Sequence, residues 1–202
     1  MNLTNQQTKI YKKLNTPAKV QDFLDTLKIN FEEKGETCRG PLGVLQTKKA
    51  HCMEAALLAA SILRFHGHKP LLMDLRARRP DVDHIVTLFK VRGFWGGITK
   101  TNHAVLRYRE PIYRTLRELA LSFFHEYFDN KTGIKNLREY SVPMNLTRFD
   151  HLHWETSLKD QWEINQAMDD VRHYWLVNPS QVKHFRKADK MEIKAGKLVE
   201  WL

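Results

Sequence analysis

The chain has 202 residues, of which 42% are hydrophobic and 28% are charged, a composition typical of a globular domain and unlike a disordered chain. Two cysteines, Cys38 and Cys52, are too few for a disulfide framework, and the longest apolar run, around residues 55–63, is far shorter than the roughly 20 residues of a membrane span. The first seven residues lack the apolar core of a signal peptide. We therefore expect a single cytoplasmic domain over residues 1–202, with no membrane partner.

The chain carries 33 lysines and arginines against 23 acidic residues, which gives a net charge of +10. Such a charge can attract phosphates or acidic partners. The basic residues are spread along the chain, however, and the densest cluster is only residues 76–79. No nucleic-acid-binding motif accompanies them. A solvated basic surface is therefore the preferred interpretation, with a nucleic-acid partner as the alternative, and the oligomeric state is left open.

Helical patterns come first along the chain. Thr16 is a good N-cap and Pro17 fits the first helical position, so the following periodic residues predict an amphipathic helix over 17–29. Three glycines and a proline predict a loop over 33–43. A run of small and apolar residues then predicts a buried helix that contains Cys52, with Thr47 as its cap and a stop near residue 67.

Strand patterns dominate the middle of the chain. Residues 69–75 form an apolar run of strand length, and residues 84–91 alternate and connect through a tight turn to residues 95–99. This pattern predicts an antiparallel hairpin. We expect a third strand near Leu106 and a helix that begins at Pro111.

The last third, residues 139–202, is predicted to be an elaboration of the same domain. Residues 154–171 have helical periodicity, residues 173–177 form a short strand or the end of that helix, and residues 190–202 form a closing hairpin. The order of elements predicts an α+β fold, in which N-terminal helices pack on an antiparallel sheet and further helical elements follow at the C-terminus.

Cys52 and His84 are the residues most suggestive of chemistry. A cysteine in the first turn of a helix lies where unpaired N–H groups and the helix dipole stabilise a thiolate. His84 begins a strand, and a strand holds a general base rigidly. A helix-borne thiol followed by a strand-borne imidazole is the arrangement that a thiol nucleophile and its base require. In the alternative interpretation both residues are ordinary core side chains.

The order of these features resembles the transglutaminase-like superfamily: Cys52 at a helix N-terminus, His84 at a strand start, and Trp95 leading the next strand. The resemblance covers residues 44–104, about a third of the chain. It implies a papain-type core, with Cys52 as the nucleophile and His84 as the general base of a cysteine-dependent enzyme. It also implies a peptide or another amide as the substrate, and no cofactor.

The third member of the site is where the sequence departs from that family, which places an aspartate shortly after the tryptophan. Thr99 stands there, and a threonine can accept a hydrogen bond from an imidazole but carries no charge. Asn102 is the alternative third member. For the oxyanion, the candidates are the backbone N–H of Cys52 and the side chain of Gln46, although an ordinary polar loop residue is the preferred interpretation of Gln46.

A metal site is the competing chemistry, because the chain contains ten histidines. No histidine or cysteine spacing typical of a zinc site is present, and His51 and Cys52, being adjacent, are not expected to face one point on a helix. We therefore expect neither a metal nor a cofactor.

Two functions are compatible with these patterns. The preferred one is a cysteine-dependent hydrolase or acyl transferase acting on an amide bond, which the paired thiol and imidazole favour. The alternative is a catalytically degenerate protein of the same fold that binds an acidic partner, which the missing aspartate favours.

Overall fold

A computed structural model describes residues 3–79 and 81–202, and it has the α+β architecture with an antiparallel sheet that the sequence predicts. The helices are α1 (Asn5–Tyr11), α2 (Pro17–Asp25), α3 (Pro41–Thr47), α4 (Cys52–Phe65), α5 (Leu116–Phe124), α6 (Trp162–Asp170), α7 (Pro179–Val182) and α8 (Lys190–Gly196), with a 3-10 helix at Leu146–Leu152. The strands are β1 (Lys28–Ile29), β2 (Lys49–Ala50), β3 (Leu71–Ala77), β4 (His84–Val91), β5 (Phe94–Ile98), β6 (Arg109–Tyr113), β7 (Leu137–Ser141), β8 (Met144–Asn145) and β9 (His173–Trp175). None of the helices in the described part of the chain has the length and hydropathy that a bilayer crossing requires.

The main sheet has the strand order β6-β5-β4-β3-β7-β9, with β8 also paired to β3, and all of its pairs are antiparallel. Strands β4 and β5 form the predicted hairpin. Its turn places Arg92 and Gly93 at φ values of 49° and 88°, which match the twist of a tight hairpin. Strands β1 and β2 form a separate parallel pair, which joins the segment after α2 to the segment before α4.

Helices cover both faces of the sheet because β4 is apolar on both sides. Ile85 and Phe89 pack in the clusters that include α4, whereas Val86 and Leu88 pack with α5. Thr87 also links the strand to the helix, since its hydroxyl donates a 2.9 Å hydrogen bond to the carbonyl of Ala56 in α4. The alanine-rich helix therefore lies directly on the strand that begins with His84.

Helix α4 begins at Cys52, and its cap is His51 instead of the predicted Thr47. Thr47 is the last residue of α3, a short helix that the sequence analysis did not predict and that overlaps the end of the predicted loop over 33–43. Pro41 begins α3 at the position where its missing N–H costs nothing, and Lys48 ends it with a left-handed backbone at φ 54°. The chain then turns through β2, so that α4 starts immediately afterwards.

Several other element predictions were wrong in position or type. The third strand lies at Arg109–Tyr113 and not near Leu106, which has a left-handed φ of 60°. Pro111 lies in this strand, which a proline tolerates because β6 is at the sheet edge. The following helix begins only after its N-cap, Thr115.

At the C-terminus, residues 190–196 form α8 and not one arm of a hairpin, because Asp189 and Glu192 make a capping box that initiates a helix. The helix predicted over 154–171 is restricted to α6, and the helix predicted over 17–29 ends at Asp25.

We predict that Thr87→Val lowers the free energy of unfolding by about 1 kcal/mol, because the isosteric change removes one buried hydrogen bond between α4 and β4. Urea denaturation followed by circular dichroism measures the change. Thr156→Val, at a half-buried position in a turn, is the control and should change stability by less than about 0.5 kcal/mol. Equal effects of the two substitutions would show that the Thr87 bond does not hold the helix on the strand.

Candidate active site

A pocket of about 220 Å³ opens where α4 and β4 both begin. Cys52 and His84 line it together, so the fold brings the two predicted residues into one site. The far wall comes from the end of α5 and the loop that follows it, including Glu126 and Tyr127. The Tyr127 hydroxyl donates a hydrogen bond to the carbonyl of Val82, which ties that wall to the loop before His84.

The Cys52 thiol is half-buried at the first position of α4 and lies beside two imidazoles. Burial disfavours its charged form, but hydrogen bonding to His51 and His84 and the positive charge of both rings lower the pKa of the thiol to about 6. A large fraction of Cys52 is therefore thiolate at neutral pH, which is the form that acts as a nucleophile.

His51 is a member of the site that the sequence analysis excluded. Two adjacent residues inside a helix cannot face one point, but His51 precedes the helix with an extended backbone, so its ring folds back over the first turn. Its Nε2 lies 2.8 Å from the Thr37 carbonyl, and its Nδ1 lies 3.3 Å from the backbone N of Met53, a long capping contact. Burial opposes charging of the ring, yet hydrogen bonding to Cys52 and the charges of Cys52 and Glu54 raise the pKa of His51 to about 9.

His84 is buried at the start of β4, opposite Leu75 in the register of β3. Its Nε2 is buried and has no hydrogen-bond partner in residues 3–79 and 81–202. An unpaired buried nitrogen costs free energy, of the order of 1–3 kcal/mol, and such groups cluster at functional sites.

Neither proposed third member is bound to His84. The Thr99 hydroxyl donates to the Leu106 carbonyl at 2.8 Å, because the left-handed turn at Leu106 brings the chain back beside it. Asn102 uses both ends of its amide on the backbone of Trp201, at 2.9 and 2.8 Å. The expectation that one of these two residues orients the imidazole through a hydrogen bond is therefore not met in this structure.

Gln46 does not reach the site either, since it is exposed on α3 and lies outside the lining of the pocket. Gln46 is the sixth residue of α3, where its side chain is exposed to solvent. The other oxyanion candidate, the backbone N–H of Cys52, remains, because the first N–H groups of a helix have no intrahelical partner.

Glu54 is the second important residue that the sequence analysis did not single out, and it is completely buried. Its carboxylate accepts hydrogen bonds that converge from three segments of the chain: from Asn30 Nδ2 at 3.1 Å, Thr37 Oγ1 at 2.8 Å, Arg39 N at 3.0 Å and His51 N at 3.1 Å. The spacing of a cap and a glutamate three residues later is the signal that could have identified it.

No cluster of three or more histidine, cysteine, aspartate or glutamate side chains in the described residues is arranged to hold a metal ion. A scan of the sequence against protein-family models finds no match, and a search among curated proteins finds no significant relative. The interpretation of the site therefore rests on its own geometry.

We predict that iodoacetamide labels Cys52 with a rate that rises with pH and is half-maximal near pH 6, since only the thiolate reacts. Cys38 should stay unlabelled at neutral pH, because burial and the Glu54 charge raise its pKa to about 12. His51→Gln and His84→Ala should each move the Cys52 midpoint to higher pH, whereas His151→Ala, at an exposed position, should not. Peptide mapping by mass spectrometry measures both rates, and parallel labelling of the two cysteines would contradict the assignment.

A separate prediction concerns Glu54→Gln, which leaves several buried donors facing an amide that carries no charge. We expect it to lower the free energy of unfolding by about 3 kcal/mol. It should also raise the pH midpoint of Cys52 labelling, because His51 loses the carboxylate that accepts from its backbone N–H and faces its ring. Urea denaturation and labelling measure the two effects. Glu163→Gln, at an exposed site, is the matched control. A stable Glu54→Gln protein with unchanged labelling would show that the carboxylate does not organise the site.

Proposed function

We propose that the protein is a cysteine-dependent hydrolase or acyl transferase that acts on an amide bond and has a transglutaminase-like, papain-type core. The observation that carries the proposal is the placement of the Cys52 thiol at a helix N-terminus, beside two imidazoles and on the lining of a pocket, surroundings that lower its pKa to about 6. A purely structural cysteine has no need of such surroundings, as Cys38 illustrates: it is buried against the Gln161 carbonyl and has a raised pKa.

The two imidazoles have different roles in this proposal. Nε2 of His51 lies 2.8 Å from the Thr37 carbonyl, and hydrogen bonding to Cys52 together with the charges of Cys52 and Glu54 raises the pKa of the ring to about 9, so the ring is charged at neutral pH. It therefore stabilises the thiolate. His84 lines the pocket, and its hydrogen bonding to Cys52 is among the causes of the lowered thiol pKa, so it is the residue that carries protons.

The reaction begins when the Cys52 thiolate attacks the carbonyl carbon of the amide and the carbonyl oxygen becomes an oxyanion. The backbone N–H of Cys52 donates to that oxygen. Collapse of the tetrahedral intermediate breaks the C–N bond, and His84, protonated, gives its proton to the departing amine, which leaves a thioester on Cys52. Water or a second amine then attacks the thioester as His84 removes its proton, and this step regenerates the thiolate.

The binding-module alternative is favoured by one specific observation, which is that no described carboxylate or amide is hydrogen-bonded to Nε2 of His84. In that case the pocket and the basic surface would serve an acidic partner, and the thiol would not turn over. Formation of an acyl-enzyme distinguishes the two functions.

The test is acylation by p-nitrophenyl acetate, which needs only a nucleophile and no knowledge of the natural substrate. We expect an acetyl group on Cys52, release of nitrophenol in a burst, and complete loss of both in Cys52→Ser. His84→Ala should slow turnover at least about 100-fold, which is the usual contribution of a positioned acid or base, while His151→Ala should have no effect. Acetylation that is spread over lysines, or turnover that is insensitive to His84, would contradict the enzyme proposal and favour the binding module.

A further inference from the structure

A second pocket, of about 400 Å³, is lined by the end of β3 and by parts of β7, β9 and α7. Three arginines line it, namely Arg76, Arg78 and Arg138, together with the exposed indole of Trp175 and one carboxylate, that of Glu139, which lies 3.8 Å from Arg76. Pro179 and Val182 of α7 add an apolar wall. The pocket therefore combines positive charge with an aromatic and apolar lining.

The backbone places these side chains by two devices. Arg76, Glu139 and Trp175 are paired in one row of the register across β3, β7 and the edge strand β9, so they share a face of the sheet. Arg138 is the extra residue of a β-bulge, because the register shifts where Arg76 and Ala77 pair with Glu139 and Leu137. Bulges re-aim side chains and occur next to binding sites.

The charges of the three arginines are not equivalent. Arg76 already has acidic neighbours, with Asp74 and Asp83 at 3.9 Å and Glu139 at 3.8 Å. Among residues 3–79 and 81–202, by contrast, neither Arg78 nor Arg138 forms an ion pair, although Arg138 donates to two backbone carbonyls at 2.9 Å.

Arg78 and Arg138 are also close enough to repel each other. Burial lowers the pKa of Arg138, and the charge of Arg78 lowers it further. Like charges that are not themselves in an ion pair are stabilised by an anion that binds near them. Guanidinium groups bind phosphate oxygens particularly well, because their N–H donors match the geometry of the oxygens.

Trp175 provides an aromatic face beside the arginines, since 59% of its surface is exposed on the edge strand. An aromatic face beside cationic groups is the combination with which proteins bind nucleotides: the base stacks on the ring and the phosphate pairs with the cations. A carboxylate-bearing aliphatic ligand would leave the indole unused, and an uncharged aromatic would leave the arginines unused.

We propose that this pocket binds a nucleotide unit, with the base stacked on Trp175 and the phosphate held by Arg78 and Arg138. The net charge of +10 assists the approach of such an anion. The unit is either a free mononucleotide or one residue of a single-stranded nucleic acid, which share the same base and phosphate. The site is distinct from the thiol pocket, whose lining includes Asp81 and Asp83 of the loop between β3 and β4.

The test measures anisotropy of a fluorescein-labelled oligouridine with the full-length protein over a range of salt concentrations. Trp175→Ala should weaken binding at least about fivefold with the salt dependence unchanged, because stacking involves no counterions. Arg78→Gln should weaken binding and also reduce the slope of log affinity against log salt by roughly 0.7, the contribution of one phosphate contact.

The matched controls are Trp162→Ala and Arg148→Gln, which remove an exposed tryptophan and an exposed arginine elsewhere on the surface and should leave binding unchanged. Circular dichroism checks that each variant is folded. Full competition by UMP assigns the site to a free mononucleotide, and competition only by unlabelled oligouridine assigns it to a strand. No binding, or equal losses in Arg78→Gln and Arg148→Gln with none in Trp175→Ala, would overturn the proposal in favour of non-specific charge attraction.

Discussion

The buried carboxylate of Glu54 is the constraint on which the geometry of the thiol site depends. A charge without access to water is costly, and the hydrogen bonds from Asn30, Thr37, Arg39 and His51 offset that cost only if all of these donors are in place. The carboxylate therefore fixes the path of residues 30–39 relative to the first turn of α4. Since His51 is both a donor to Glu54 and the cap of α4, the same network sets the position of its ring beside Cys52.

The parts of the fold that follow from local pattern could be predicted from the sequence. The alternation over residues 84–91 predicts a strand, which the structure shows to be buried on both faces, and the small residues after Cys52 predict a helix that can approach it closely. Elements that depend on capping were predicted less well. The turn at Leu106, the start of α5 at Thr115 and the helix α8 are each decided by one or two polar or left-handed residues, whose effect competes with hydrophobic periodicity.

The same distinction holds for the site. Cys52 and His84 could be proposed because a helix start and a strand start are visible in the sequence, and the sheet brings them to one pocket. The surroundings of Thr99 and Asn102 could not be predicted from the sequence, because they depend on residues that are distant along the chain. Asn102, for example, binds the backbone of Trp201 near the C-terminus. Glu54 likewise acts through donors that are up to 24 residues away. Contacts of this kind are set by tertiary packing and leave no periodic signal.

Within residues 3–79 and 81–202, Nε2 of His84 has no aspartate partner, which has a physical consequence for the proposed chemistry. In a cysteine-histidine-aspartate triad the carboxylate stabilises the charge that forms on the imidazole. In this chain the carboxylate acts on the other histidine, since Glu54 Oε1 lies 3.7 Å from His51 Nε2, and His51 provides the positive charge beside the thiolate.

The thiolate is thus stabilised by a Glu54–His51 pair at the start of its own helix, and in the proposed reaction His84, on the sheet, is left to transfer protons. A nucleophile that is already ionised needs no base to activate it. The remaining proton transfers, to the departing amine and from the attacking water or amine, require an imidazole that is correctly placed more than one that is strongly charged. Its position is set by β4 and by the bond from Tyr127 to Val82 beside it, so the scaffold takes over the orienting role that a third side chain has in a triad.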